Sequence, residues 1–149
     1  IRALAELKHL PIQLDIYGDG SLKTYLQSLI YETKADVCLK GINKISPELL
    51  SEYDAFLMTS LNEGMPIALI EALMCGLPSI LNDLPMLRET AGSAALYYEA
   101  NSLESLIAHL KKVYENKDEL KNLTNETIKV CNRYSAENYV STLKKVYEM

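Results

Sequence analysis

The stretch Asn62-Glu63-Gly64-Met65-Pro66-Ile67-Ala68-Leu69-Ile70-Glu71-Ala72-Leu73-Met74-Cys75-Gly76-Leu77-Pro78-Ser79-Ile80-Leu81-Asn82-Asp83 decides the fold. Residues 66–75 form an apolar run that opens on proline and stops at Gly76, which predicts a helix. Residues 78–81 follow as a short apolar run bounded by turn residues, which predicts a buried strand.

Working outward, the same alternation recurs on both sides. Residues 12–17 read as a strand ending at Gly18-Asp19-Gly20, and Ser21 is placed to cap a helix whose face is Leu22, Tyr25, Leu26, Leu29 and Ile30. Residues 37–40 predict a strand closed by Gly41, Ser46-Pro47 opens a short helix through Glu52, and residues 55–59 predict a third strand. A short helix over 86–90 and a strand over 95–97 follow. The rest reads as helices over 103–115 behind Ser102, 119–134 behind Asp118 and 136–148 behind Ser135. Short apolar runs alternating with amphipathic ones predict an α/β class: a Rossmann-like parallel sheet flanked by helices, with a helical C-terminal part.

With 149 residues, 48% apolar and 23% charged, the chain fits one globular domain. A net charge of -5 offers no overall field for phosphate backbones, so no nucleic-acid partner is expected. Cys38, Cys75 and Cys131 stand far apart without a CxxC pair, as expected of reduced thiols in a cytoplasmic protein. No apolar run reaches the roughly 18 to 20 residues of a spanning helix. The chain begins at Ile1 inside a segment of helical period, 1–10, which predicts a piece of a longer polypeptide with a strand and loop, and a further domain, upstream.

In a parallel sheet, ligands gather beyond the carboxyl ends of the strands, which selects the loops 18–21, 41–44 and 60–66. Gly18-Asp19-Gly20 lacks the third glycine of a dinucleotide fingerprint, because Lys23 stands there, and it reads equally as a simple turn. The loop 60–66 is more informative. Pro66 at the first turn would leave the N–H groups of Ile67 and Ala68 free to meet phosphate or sugar oxygens, with Gly64 permitting close approach. Glu71 is the only charged residue between Glu63 and Asp83. It either faces water, pairs with a residue such as Arg88, or holds a ligand. Glu63 likewise suits either the positive end of the helix or a ligand. Glu71 would lie about 8 Å along the axis from the helix start, too far for both carboxylates to grip one atom, so they would hold two parts of an elongated ligand. No metal site is encoded: Asp15 and Asp19 stand isolated, and His9 and His109 read as surface residues.

The run 62–83, with its two glutamates and its Ala-x-x-x-Gly-x-Pro element, resembles the donor-binding signature of retaining nucleotide-sugar glycosyltransferases of the GT-B fold, the large family four. The elements IYGDG, VCLKG, Tyr53-Asp54-Ala55 and Tyr134-Ser135 occur in the same order, so the resemblance covers nearly the whole chain. It implies that residues 1–149 are the C-terminal, nucleotide-sugar-binding half of a GT-B enzyme, lacking its first strand and the N-terminal acceptor domain. Glu63, the candidate catalytic residue, would bind hydroxyls of the transferred sugar, and backbone N–H groups around Gly64, Met65, Ile67 and Ala68 would meet the diphosphate and sugar. Glu71 would take the ribose hydroxyls, Lys40, Gly41 and Ile42 would border the nucleobase, and Gly18 and Gly20 would shape the adjacent wall.

The resemblance further implies a hexosyltransferase of polysaccharide biosynthesis that needs no metal or cofactor. Its donor would be a UDP-, GDP- or ADP-sugar and its acceptor a glycan or lipid-linked glycan, bound through the N-terminal domain. Such an enzyme is cytoplasmic and can work at the inner face of the membrane as a peripheral protein. Many family members carry glycine where this chain has Pro66, and the basic residues that clamp the diphosphate precede Ile1, so the chain alone is expected to be inactive. Rival readings are a sugar-nucleotide epimerase or phosphorylase half-domain, or a non-catalytic nucleotide-sugar-binding module. A receiver-like module would need an aspartate where Thr59 and Ser60 stand.

Overall fold

The computed structural model of the chain describes residues 1–147. In chain order the elements are α1 (Arg2–Glu6), β1 (Leu14–Tyr17), α2 (Lys23–Thr33), β2 (Val37–Gly41), α3 (Pro47–Leu50), β3 (Phe56–Met58), α4 (Ile67–Met74), β4 (Ser79–Asn82), α5 (Pro85–Ala91), β5 (Ala95–Tyr98), α6 (Leu103–Glu115), α7 (Lys117–Cys131) and α8 (Ala136–Tyr147). Every predicted strand and helix is present, with bounds moved by a few residues. The predicted end of the last helix, Glu148, lies outside the described residues.

All strand pairs are parallel, which requires each connection to cross over through a helix. They form two sheets rather than one continuous sheet: β1 with β2, and β3-β4-β5 with β4 in the centre. All four residues of β4 are buried, as a strand covered on both faces must be. Leu69 and Leu73 of α4 pack with Leu81 of β4, Leu87 and Ala91 of α5 and Val130 of α7. A second cluster joins Ala3 and Leu4 of α1 and Leu7 just after it to Ile80, Tyr98 and Leu110, with Leu14, Val37 and Leu57 against it, so it receives residues from both sheets.

Side chains cap several helix starts. Ser46 Oγ accepts from Leu49 N at 3.3 Å, and Ser102 Oγ accepts from Ser105 N at 3.1 Å. Two expected caps differ. Ser21 does not cap α2, whose N-cap is Leu22 with no side-chain bond, and no residue of α2 is fully buried. The start of α7 is capped by Asn116, whose Oδ1 accepts from Glu119 N at 3.0 Å, rather than by Asp118. Asn116 also ends α6, so one residue both closes one helix and opens the next.

Candidate functional site

The start of the loop after β3 is held by Asn82. This side chain is 1% exposed, and its Nδ2 donates to the Ser60 carbonyl at 2.8 Å. Its Oδ1 is buried without a partner among the described residues. Pro66 is the N-cap of α4 rather than its first helical residue, with φ -80 and ψ 73, the torsions of an inverse γ-turn. Ile67 N accordingly donates to Met65 O at 2.9 Å, so this amide is not free, contrary to the sequence expectation. The amides of Gly64, Met65 and Ala68 have no acceptor among the described residues.

Helical spacing places Ile67, Glu71 and Met74 on one face of α4, opposite the buried Leu69, Ala72 and Leu73. Ile67 and Met74 are exposed, as are Met65 and Leu61 before the helix. Glu71 is exposed between them, and Glu63 is half-buried on the loop. Neither carboxylate has a hydrogen bond or ion pair among the described residues. Arg88 does not reach Glu71: its Nη2 donates to Asp83 Oδ2 at 2.8 Å, its Nε donates to Asp83 Oδ1, and its guanidinium lies 4.3 Å from the Tyr97 ring centroid. Two free carboxylates, three free amides and an exposed apolar strip therefore share one loop and helix, which suits a ligand carrying hydroxyls and an anionic group.

The strand ends beside α2 hold the other loops that the sequence selects. Gly18 and Gly41 take positive φ, +125 and +69, and Gly18 N donates to Gly41 O at 2.8 Å, tying the two carboxyl ends together. A cleft of about 350 Å³ opens here, lined by Gly18, Asp19, Gly20, Leu22, Lys23 and the strand residues behind them. The Gly20 amide is taken by Asp19 Oδ1 at 2.7 Å, and Lys23 Nζ pairs with Asp19 Oδ2 at 2.8 Å. Asp19 is thus committed to its own loop, and that hydrogen bond from Lys23 holds its carboxyl below the usual carboxylate range. Ile42 is 84% exposed.

Lys40 pairs with Asp15, Nζ to Oδ2 at 3.1 Å, and that hydrogen bond raises the ammonium pKa. Asp15 is therefore not isolated. Tyr53 Oη also donates to Asp15 Oδ2 at 2.7 Å, and Tyr17 Oη lies 2.6 Å from Tyr53 Oη. Because Tyr53 spends its proton on Asp15, Tyr17 is the donor of that second bond. Burial first, then these two partners, push the Tyr53 phenol well above its usual range. The cluster was illegible in sequence: its members stand on β1, on β2 and after α3, and only the Asp15-x-Tyr17 alternation places two of them on one strand face. Of the two histidines, His9 is exposed, whereas His109 is half-buried with Nδ1 2.7 Å from Ser105 O.

Comparison with known proteins points one way. The sequence profile described as "Glycosyl transferases group 1" matches residues 1–130. The UDP-Gal:alpha-D-GlcNAc-diphosphoundecaprenol alpha-1,3-galactosyltransferase of Escherichia coli is 30% identical over 145 residues, 89% of this chain and 35% of that protein. The GtfA subunit of the UDP-N-acetylglucosamine–peptide N-acetylglucosaminyltransferase of Streptococcus pneumoniae is 35% identical over 94 residues, 60% of this chain and 18% of its own length. The crystal structure of the pneumococcal O-GlcNAc transferase GtfA in complex with UDP and GlcNAc matches at TM-score 0.86 and 25% identity, covering 99% of this chain and 31% of that one. The chain thus spans about a third or less of the length of these relatives, and its architecture is that of their GT-B fold.

Proposed function

The chain belongs to the group 1 glycosyl transferases, and on that footing we propose that it is the C-terminal, donor-binding half of an enzyme that transfers a hexosyl group from a nucleoside diphosphate to a glycan or lipid-linked acceptor with retention of configuration. In this reading Glu63 binds the hydroxyls of the transferred sugar and Glu71 those of the ribose. The free amides of Gly64, Met65 and Ala68 meet the diphosphate. Ile67, its amide closed onto Met65, contributes its exposed side chain to the wall. Gly18, Gly20, Gly41 and Ile42 frame the nucleobase, with the backbone of Lys40 beside them.

The observation that carries this reading is the pair of carboxylates flanking three amides at the start of α4, all without a partner among the described residues. Carboxylates accept from vicinal hydroxyls, and amides at a helix start donate to phosphate oxygens. Departure of the nucleoside diphosphate is eased by those amides and the helix dipole, with no metal required. The acceptor domain and the membrane-face location belong to the same proposal. A calorimetric panel of UDP-, GDP- and ADP-sugars against the full-length protein tests it. Binding of one nucleotide-sugar in preference to its free sugar is expected, and no binding of any of them overturns it.

A further inference from the structure

Asp15 is an acid inside a parallel strand, its side chain 10% exposed, and nothing in the donor reading uses it. Its Oδ2 gathers Tyr53 and Lys40, and through Tyr53 it reaches Tyr17. Its Oδ1 is buried with no partner among the described residues. A carboxylate removed from water with so few donors holds each of them tightly, because losing one leaves a buried charge unmatched. Lys40, which bonds the carboxylate, and Tyr17, which donates to Tyr53, stand at places of consequence. Tyr17 immediately precedes Gly18, and Lys40 immediately precedes Gly41. The register between β1 and β2 shifts at Ile16/Tyr17, so the ladder itself does not dictate how the two ends meet. The carbonyl of Lys40 in turn accepts from Asn43 Nδ2 at 2.7 Å, extending the chain of contacts into the loop after β2.

We infer that Asp15, with Tyr53, Tyr17 and Lys40, is a positioning cluster that fixes the Gly18 and Gly41 strand ends and thereby the width of the slot that receives the nucleobase. The inference rests on the donor reading for the identity of the ligand. None of the four side chains needs to touch the donor through its polar end: Lys40 and Tyr53 are turned inward onto Asp15, and their work is to hold backbone. The four are drawn from β1, β2 and the segment after α3, so the cluster also sets the first sheet against the chain that leads into β3.

The test uses the full-length protein with Asp15→Asn and Tyr53→Phe, both close in shape to the native residue. The expected result is a rise of about tenfold in KM for the nucleotide-sugar and in the Kd of the free nucleoside diphosphate, roughly the effect of one charge-assisted hydrogen bond, with kcat within about twofold of wild type. Amide exchange at Gly18 should quicken in both variants while exchange in β4 stays slow. Asp15→Glu, which keeps the charge, is expected to recover part of the affinity. Unchanged Kd together with unchanged Gly18 exchange overturns the inference while leaving the donor reading intact. An equal fall in kcat without a change in KM also overturns it, because a loss of that kind is not one of slot geometry. Failure of the wild-type protein to bind any nucleoside diphosphate overturns the donor reading, and the assignment of a nucleobase to this slot with it.

Discussion

The amide of Ile67 donates to the carbonyl of Met65 at 2.9 Å across Pro66, so α4 opens through a closed three-residue turn. Where a second glycine would leave an amide, this chain has a buried proline ring, and the donors that remain free are Gly64 and Met65 before it and Ala68 after it.

Replacing Pro66 with glycine should release that turn. Stability is expected to fall by about 1 kcal/mol from the added freedom of the unfolded chain, with a further loss from the buried ring. Amide exchange at Ile67 should quicken, and unchanged exchange would contradict the role given to the turn.

Asn82→Ala removes the donor that holds Ser60 O at 2.8 Å. The expected cost is about 1 to 3 kcal/mol in chemical denaturation, with faster proteolysis in the loop 60–66 and weaker binding of both nucleotide and nucleotide-sugar. Loss of stability with unaltered proteolysis and affinity would confine Asn82 to the core.

Arg88 is committed to Asp83 and Tyr97. Arg88→Met should therefore leave nucleotide affinity unchanged, because Glu71 never depended on it. The same variant should alter acid stability. The hydrogen bond from Arg88 lowers the Asp83 pKa below its ordinary 3.8. The unfolded chain thus takes up the proton first as pH falls, so the pair stabilises the fold above about 3.8, and that contribution disappears as pH drops through the lower folded-state value. Denaturation midpoints measured across this range should lose that acid limb in the variant.

Ser102→Ala deletes the cap that accepts from Ser105 N. A loss of about 1 kcal/mol is expected, read as a lower denaturant midpoint at unchanged slope.

Reading the sequence worked where the information is local. Ser46, Ser102 and the Gly76 stop lie within one turn of the element they punctuate, so their chemistry is written beside it. It failed at Ser21, because the Gly18-Asp19-Gly20 turn satisfies itself through the Asp19 carboxylate and hands the chain to α2 one residue later. On α2 it found Leu26, Leu29 and Ile30, which are half-buried, but not the exposure of Leu22 and of Tyr25, whose hydroxyl accepts from Arg2, a contact that periodicity cannot supply. The glutamates of the candidate site were visible because an apolar helix makes a single acid conspicuous. The Asp15 cluster was not, since Tyr53 stands 38 positions from the carboxylate it binds and only the fold brings them together.

The most direct measurement is calorimetric titration of the full-length protein and its Glu63→Ala and Glu71→Ala variants with a nucleoside diphosphate and with the matching nucleotide-sugar. Removing Glu71 should weaken both ligands, whereas removing Glu63 should weaken chiefly the sugar-bearing one. Undiminished binding of both ligands by both variants would contradict the account.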